Sequence, residues 1–176
     1  MPSQKPPPEL RDNASVITRP ARREDLSGYL QLAAQVEHWF GPMVEDEGFR
    51  AAVVRNIRRG SALVVDGEQE AGLRGGLLFG GRFPTFHVHW LVVAEHGRRQ
   101  GVGRALIADA ISRFVHEPRA AVEVITFAEE HPAAWISGAR AFYERLGFVA
   151  AEPADAGPEG GPRQVYRLNL DGGRTD

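Results

Sequence analysis

Residues 98–104 read Arg98-Arg99-Gln100-Gly101-Val102-Gly103-Arg104. They stand between an apolar run ending at Val93 and a helical pattern that carries Ala105, Leu106 and Ile107. Backbone N–H groups at a helix start have no intrahelical acceptor, and the helix dipole adds partial positive charge there. Glycine lets the backbone approach an oxyanion closely, and arginine adds charge-assisted donors. The segment therefore suits a pyrophosphate. Alone, a Gly-x-Gly at a helix start equally describes a tight turn with solvated arginines. It is not a Walker loop, because no Gly-Lys-Ser/Thr follows, and Leu106 stands where a dinucleotide fingerprint needs its third glycine.

A second candidate lies upstream, at His87 and His89. On a strand, residues i and i+2 share one face, so both rings point the same way. An imidazole with a pKa near ~6.5 is suited to taking a proton at neutral pH. The plainer alternative is a pair of hydrogen-bonded core or surface histidines. The remaining histidines, His38, His96, His116 and His131, have no metal-site spacing, and no metal is expected. The chain has no cysteine, which removes disulfides, thiol nucleophiles and cysteine-rich metal sites.

These residues need elements to hold them. The pattern predicts a strand over Ser15–Arg19, a helix from about Arg23 to His38 and a second helix over about Glu45–Arg59. Strands follow over Ser61–Val65, Gly72–Phe79 and Phe86–Val93. A helix over Val102–Val115, a strand over Ala121–Phe127 and a helix over Trp135–Leu146 come next. Strands over Phe148–Ala151 and Gln164–Asn169 close the order. Early hairpins imply antiparallel pairing, and the strand–helix–strand unit from about 86 to 127 implies a parallel crossover. The fold class expected is α+β with a mixed sheet.

The string Leu91-Val92-Val93, four residues, then Arg98 to Leu106 resembles the central motif of the GNAT superfamily of acetyl-CoA-dependent acyltransferases. That family's Arg/Gln-x-x-Gly-x-Gly/Ala pattern falls on Arg98, Gly101 and Gly103. A second family-like segment runs from Ala139 to Phe148, one strand further on, and the whole order over about 15–170 fits. The resemblance implies a mostly antiparallel sheet, flanked by helices and splayed at its central strands just after Val93. It implies that Arg98, Arg99, Gln100, Gly101, Val102, Gly103 and Arg104 hold the CoA pyrophosphate. The main chain of Leu91, Val92 and Val93 would pair with the pantetheine, and an N–H near Val93 would stabilise the reacting carbonyl oxygen. Tyr143 falls where the family often places its general acid, and His89 where it often supplies a base, with His87 beside it. Acetyl-CoA is then the co-substrate, and the acceptor is a small-molecule or peptide amine. Direct transfer is favoured, since no cysteine can carry an acyl group. The rival on the same fold is a non-catalytic acyl-CoA-binding sensor.

Two departures stand out. Ile136 occupies the position, seven residues before Tyr143, where the family commonly has asparagine; the adjacent Ser137 is the candidate substitute. Residues 129–135 lengthen the connection after the strand and are read as a substrate-facing loop. On the acceptor side, Trp39 and Phe40, with Met43, are candidates for an apolar wall, and Glu45, Asp46 and Glu47 would suit an aromatic cationic amine. The competing reading makes the aromatics core and the acids helix-start charge.

Length and composition set the frame. The 176 residues, 43% hydrophobic and 25% charged, suit one domain, expected over 14–170, with a tail at 1–13 and a frayed end at 171–176. A net charge of −2 argues against nucleic acid as partner. No apolar run approaches the roughly 20 residues of a membrane helix. The opening residues lack a signal-like apolar stretch, so a cytoplasmic protein is expected. A homodimer is an expectation from the family alone. Of 21 basic residues only Lys5 is lysine, a bias from which no function is read.

Overall fold

The computed structural model describes residues 15–68 and 71–170. The expected tail at 1–13 and end at 171–176 lie outside the described residues. A seven-stranded sheet runs in the order β1-β2-β3-β4-β5-β7-β6. Its strands are β1 (Arg19–Pro20), β2 (Ala62–Asp66), β3 (Leu73–Arg82), β4 (Thr85–Val93), β5 (Ala121–Phe127), β6 (Val149–Ala154) and β7 (Arg163–Asn169). All neighbours pair antiparallel except β4 and β5, which are parallel. The helices are α1 (Leu26–Ala34), α2 (Glu37–Phe40), α3 (Glu47–Arg59), α4 (Val102–Phe114), α5 (Ala133–Ile136) and α6 (Ala139–Arg145).

Helices cover both faces, so β2 and β3 carry unbroken buried runs, Ala62–Val65 and Gly75–Phe79, whereas β4 and β5 alternate where they pair, with His87 and Glu123 on the more open face. Leu63, Leu77, Val88, Val122 and Val124 pack with Leu106, Ile107 and Ala110 of α4 and Tyr143 of α6. Ala62, Val64, Leu78 and Val92 pack on the other face with Tyr29 and Leu32 of α1 and Val53 of α3. The Tyr29 hydroxyl, fully buried, donates within reach of the Leu63 and Leu77 carbonyls at 2.9 and 3.2 Å. It thus ties α1 to the β2–β3 pair.

Strand β4 changes phase part-way along. Phe79 stands opposite Val88 and Leu78 opposite Trp90, so His89 is an extra residue in a bulge. Upstream, Phe86 and Val88 face α4; downstream, Val92 faces α1 and α3. A bulge re-aims side chains in this way.

Four expectations need correction. The first strand is only Arg19–Pro20. The helix expected over Arg23–His38 is a 3₁₀ turn at Arg23–Asp25 followed by α1 and α2, broken where Gln35 and Val36 bond three residues back. The helix expected over Trp135–Leu146 divides at Gly138, whose φ of 71° is left-handed. The sheet also parts earlier than expected: β4 and β5 pair from Thr85–Ala121 to Val88–Val124 and no further. The opening starts after Val88, not after Val93.

Replacing Tyr29 with Phe keeps the ring and removes the strand-tying donor. A loss of about 1–2 kcal/mol in unfolding free energy is expected by denaturant titration. An unchanged midpoint would mean that the hydroxyl contributes nothing to holding β2 and β3.

Candidate active site

Beyond Val88 the β5-facing edge of β4 has no strand partner. Into this gap opens a cleft of about 450 Å³. Leu91, Val92 and Val93 form one side, the 97–104 turn and the start of α4 another, and Ser137 to Leu146 the third. Val36, Trp39 and Phe40 close the end.

The turn before α4 is built to leave donors free. Gly101 caps the helix at φ 79°, and Arg99 sits at φ 61°. A Cβ on Gly101 would meet only Val16 Cγ2, at an ordinary 4.0 Å, so the strain of a substitution there is conformational. Gly103 matters for packing instead. A Cβ there would lie 2.8 Å from the Phe142 ring, so its absence lets α4 and α6 approach. Among the described residues, the backbone N–H groups of residues 99–104 donate to nothing, while Ala105 N–H bonds Gly101. Gln100 braces the turn, donating to the His96 carbonyl at 2.8 Å and accepting from Arg74 at 2.6 Å. Its side chain is therefore structural. Arg98 leans over the Trp39 ring at 5.4 Å and joins the turn to α2. Arg99, Arg104 and Arg145 remain as cations on the cleft wall. Sequence reasoning misses Arg145, which reads there as an ordinary basic residue at a helix end.

Tyr143 sits on α6 at 6% exposure, its ring against Phe142 and Phe148. Its hydroxyl bonds nothing among the described residues, yet no buried side-chain polar atom there lacks a partner. The oxygen must therefore reach the cleft that the residue lines. Burial pushes the phenol well above its usual range, so it stays protonated.

The two histidines lie elsewhere. Their rings are 5.9 Å apart on one face of β4, as their spacing requires. His89 does not line the Tyr143 cleft; it lines a second cavity between α3 and the β3–β4 hairpin. Burial, then His87, then Arg55 push its pKa below the usual histidine range. His87 is 3.9 Å from Glu123 on β5. Strand β4 is thus the element shared by the two groups.

Trp39 and Phe40 do line the cleft. Phe40 stacks on Phe127 at 4.7 Å, with the Arg163 guanidinium 5.2 Å from one ring and 4.5 Å from the other. The acids beyond them serve the helix: Asp46 caps α3, accepting from Gly48 and Phe49 N–H. Ile136 points outward at 76% exposure, whereas Ser137 lines the cleft and its hydroxyl accepts from Ala139 N–H. The 129–135 segment folds down rather than hanging free. His131 Nδ1 accepts from Ala133 N–H at 2.9 Å, which leaves Nε2 to donate to Glu159 at 3.2 Å. Glu159 also accepts from Arg163, 7% exposed, at 2.7 Å. This triad, unread in the sequence because His131 lies 28 residues from Glu159, pins α5 to the β6–β7 loop. Among the described residues, no group of three or more metal-ligating side chains is assembled and no helix is long and apolar enough to cross a membrane.

A parted parallel strand pair, free amides at the start of the following helix and the Tyr143 phenol thus meet at one cleft. A family model described as an acetyltransferase (GNAT) domain matches residues 58–150. The chain belongs to the GNAT acetyltransferase family. Sequence comparison with curated proteins finds no match. Similar solved folds include a putative GNAT acetyltransferase from Desulfovibrio desulfuricans (22% identity, TM-score 0.64, 89% of this chain and 99% of that one). Another is a ribosomal-protein-alanine N-acetyltransferase from Brucella melitensis (20%, 0.62, 88% and 99%). A third is a chain of the NatC complex bound to Gag peptide and CoA (14%, 0.66, 88% and 98%). The mixed, mostly antiparallel sheet expected from the sequence is the fold they share with it.

Glu159→Ala would strand Arg163 and free His131. A destabilisation of about 2–3 kcal/mol is expected in denaturant titration, with a smaller loss for Glu159→Gln, which keeps an acceptor. Equal stability of all three proteins would show that the triad does not hold the cleft wall.

Proposed function

We propose that the protein is an N-acetyltransferase that moves the acetyl group of acetyl-CoA to a primary amine by direct attack, Tyr143 serving the leaving sulfur and His89 the amine proton. The carrying observation is that the open edge of β4, the free amides of residues 99–104 and the Tyr143 hydroxyl share one cleft. The main chain of Leu91 to Val93 pairs with pantetheine amides as an added strand would. The amides at the α4 start hold the pyrophosphate, with Arg99, Arg104 and Arg145 supplying charge. Arg98 and Gln100 shape that turn. Trp39 and Phe40 form the wall at the acyl end. The CoA held in one of the similar folds supports this cofactor assignment.

In the reaction the amine nitrogen bonds the thioester carbonyl carbon and the C–S bond breaks. His89 takes the proton lost by the amine, directly or through water, and a main-chain N–H near Val93 faces the carbonyl oxygen. Partial burial, His87 and Arg55 lower its pKa, which favours the neutral ring that can accept a proton. Tyr143 donates to the departing sulfur. A phenol is a weaker acid than a thiol of ordinary pKa ~8.5 and burial weakens it further, so its main contribution is the hydrogen bond rather than complete proton transfer. Tyr143 lines the cleft beside Leu91 to Val93, and His89 lies two residues before Leu91 on the same strand.

The direct test is thiol release from acetyl-CoA over a broad panel of amines. Amine-dependent release is expected; binding of acetyl-CoA without release for any amine or peptide would favour the sensor reading. Tyr143→Phe should lower kcat by about 10- to 100-fold, the worth of a charge-assisted hydrogen bond, with acetyl-CoA affinity unchanged. Full activity would remove Tyr143 from the mechanism.

The pH profile tests His89. The groups facing it or its partner are His87 on β4, Arg55 and Arg59 on α3 and Glu123 on β5, the last beside His87. A base must be deprotonated, and its pKa is lowered. kcat/KM should therefore rise with pH through a midpoint below 6.5, the ordinary histidine value. His89→Gln should abolish that acid limb; its persistence would exclude His89 as the base.

A further inference from the structure

The second cavity has the features of a binding site that the CoA cleft does not explain. It is an open groove of about 500 Å³ between α3 and the β3–β4 hairpin, with Arg55, Arg59 and His89 exposed along it. Strand β2 pairs with β3 only as far as Ala62–Leu78, which leaves Phe79 to Gly81 without a strand on that side. Gly80 and Gly81 form a floor without side chains. A Cβ on Gly80 would lie 2.5 Å from His89 Nε2, so the glycine is what lets the ring lie over the strand. Phe49 and Trp90, with ring centroids 5.5 Å apart, give an apolar wall. Asn56 and Ser61 bond each other at 2.9 Å, and Asn56 also bonds the Ala52 carbonyl, so these two have little left to offer.

The charge is one-sided. Arg55 and Arg59, one turn apart on α3, line the cavity and have no carboxylate partner among the described residues. Among the described residues no acidic side chain lines it. His89 contributes a ring that bonds nothing among the described residues. Two free guanidinium groups beside an apolar wall match a carboxylate on an apolar body.

We propose that this cavity receives the acceptor, and that the acceptor is an amine that also carries a carboxylate: Arg55 and Arg59 hold the carboxylate, Phe49 and Trp90 the apolar body, and the amine faces His89. The assignment rests on His89 as the base of the proposed reaction. It reverses the charge suggested by Glu45, Asp46 and Glu47, since Asp46 is committed to capping α3 and the free charges nearest His89 are positive.

Two measurements test it. In the first, benzoate is titrated into the protein without acetyl-CoA, and the His89 ring signals are followed by NMR, assigned with His89→Gln. Benzoate should shift them in the native protein and not in Arg55→Gln/Arg59→Gln, whose acetyl-CoA affinity should be unchanged. In the second, matched amines are compared: para-aminomethylbenzoate against benzylamine, and phenylalanine against phenethylamine. In at least one pair the carboxylated member should have a kcat/KM about tenfold or more above its partner, and the double variant should erase the difference. Equal rates within both pairs, a preference that survives the double variant, or His89 signals unmoved by benzoate would each overturn the assignment. If benzoate shifts His89 but no amine consumes acetyl-CoA, it is the acetyl-transfer reading that has failed, and the acceptor assignment falls with it.

Discussion

The parting of β4 from β5 after Val88 is the constraint on which the rest of this structure depends. A parallel pair that continued to Val93 would satisfy its own backbone groups and leave no edge for another chain of amides. By opening, the sheet exposes a main-chain edge in its interior, where water access is limited by α2, α4 and α6. The cost of such an edge is tolerable because it is short and because a ligand can complete it. The bulge at His89 belongs to the same event: it adjoins the last paired position and turns the strand as the pair separates. The parting and the bulge place a cleft of about 450 Å³ on one side of β4 and an arginine-rimmed groove on the other.

Keeping a sheet open at its centre requires support on the outside. Gly103 lets α4 press against Phe142, which brings α6 and Tyr143 to the gap. On the far side the His131–Glu159–Arg163 triad and the Phe40–Phe127 stack hold α5 and α2 in place. Neither support touches the reacting atoms in the proposed mechanism. Both fix the width of the opening, and width decides whether a thioester and an amine meet at bonding distance.

The amide cradle is legible in the sequence because it is local: glycines, arginines and a helix start lie within seven residues, and their backbone geometry follows from their types. Strand and helix order is legible for the same reason. The failures share a different cause. Helical spacing runs on through Gln35–Val36 and Gly138, because apolar residues continue across both breaks while the helical backbone does not. The end of β4–β5 pairing is misplaced, since where two strands part depends on packing from α2 and α6 rather than on either strand's residues. Arg145 at the cleft and the His131–Glu159 contact are invisible because what they face is brought near only by the fold. His89 stands out in the sequence, but its cavity depends on Arg55, Arg59 and Gly80, each unremarkable in its own segment.

The near absence of lysine acquires a physical meaning at three of these positions. Arg98 lies over Trp39, Arg140 over Tyr166, and Arg163 between Phe40 and Phe127. A planar guanidinium can stack on a ring and donate in its own plane at once; an ammonium cannot do both. Arg163 does this most fully, stacked by two rings while Glu159 accepts from its edge. Lysine there would keep the charge and lose the stack, leaving a strongly hydrated cation in a site that is 7% exposed. Whatever set the bias towards arginine, the fold has come to use that residue's shape at the joints that hold the cleft, and at those joints the two basic residues are not interchangeable.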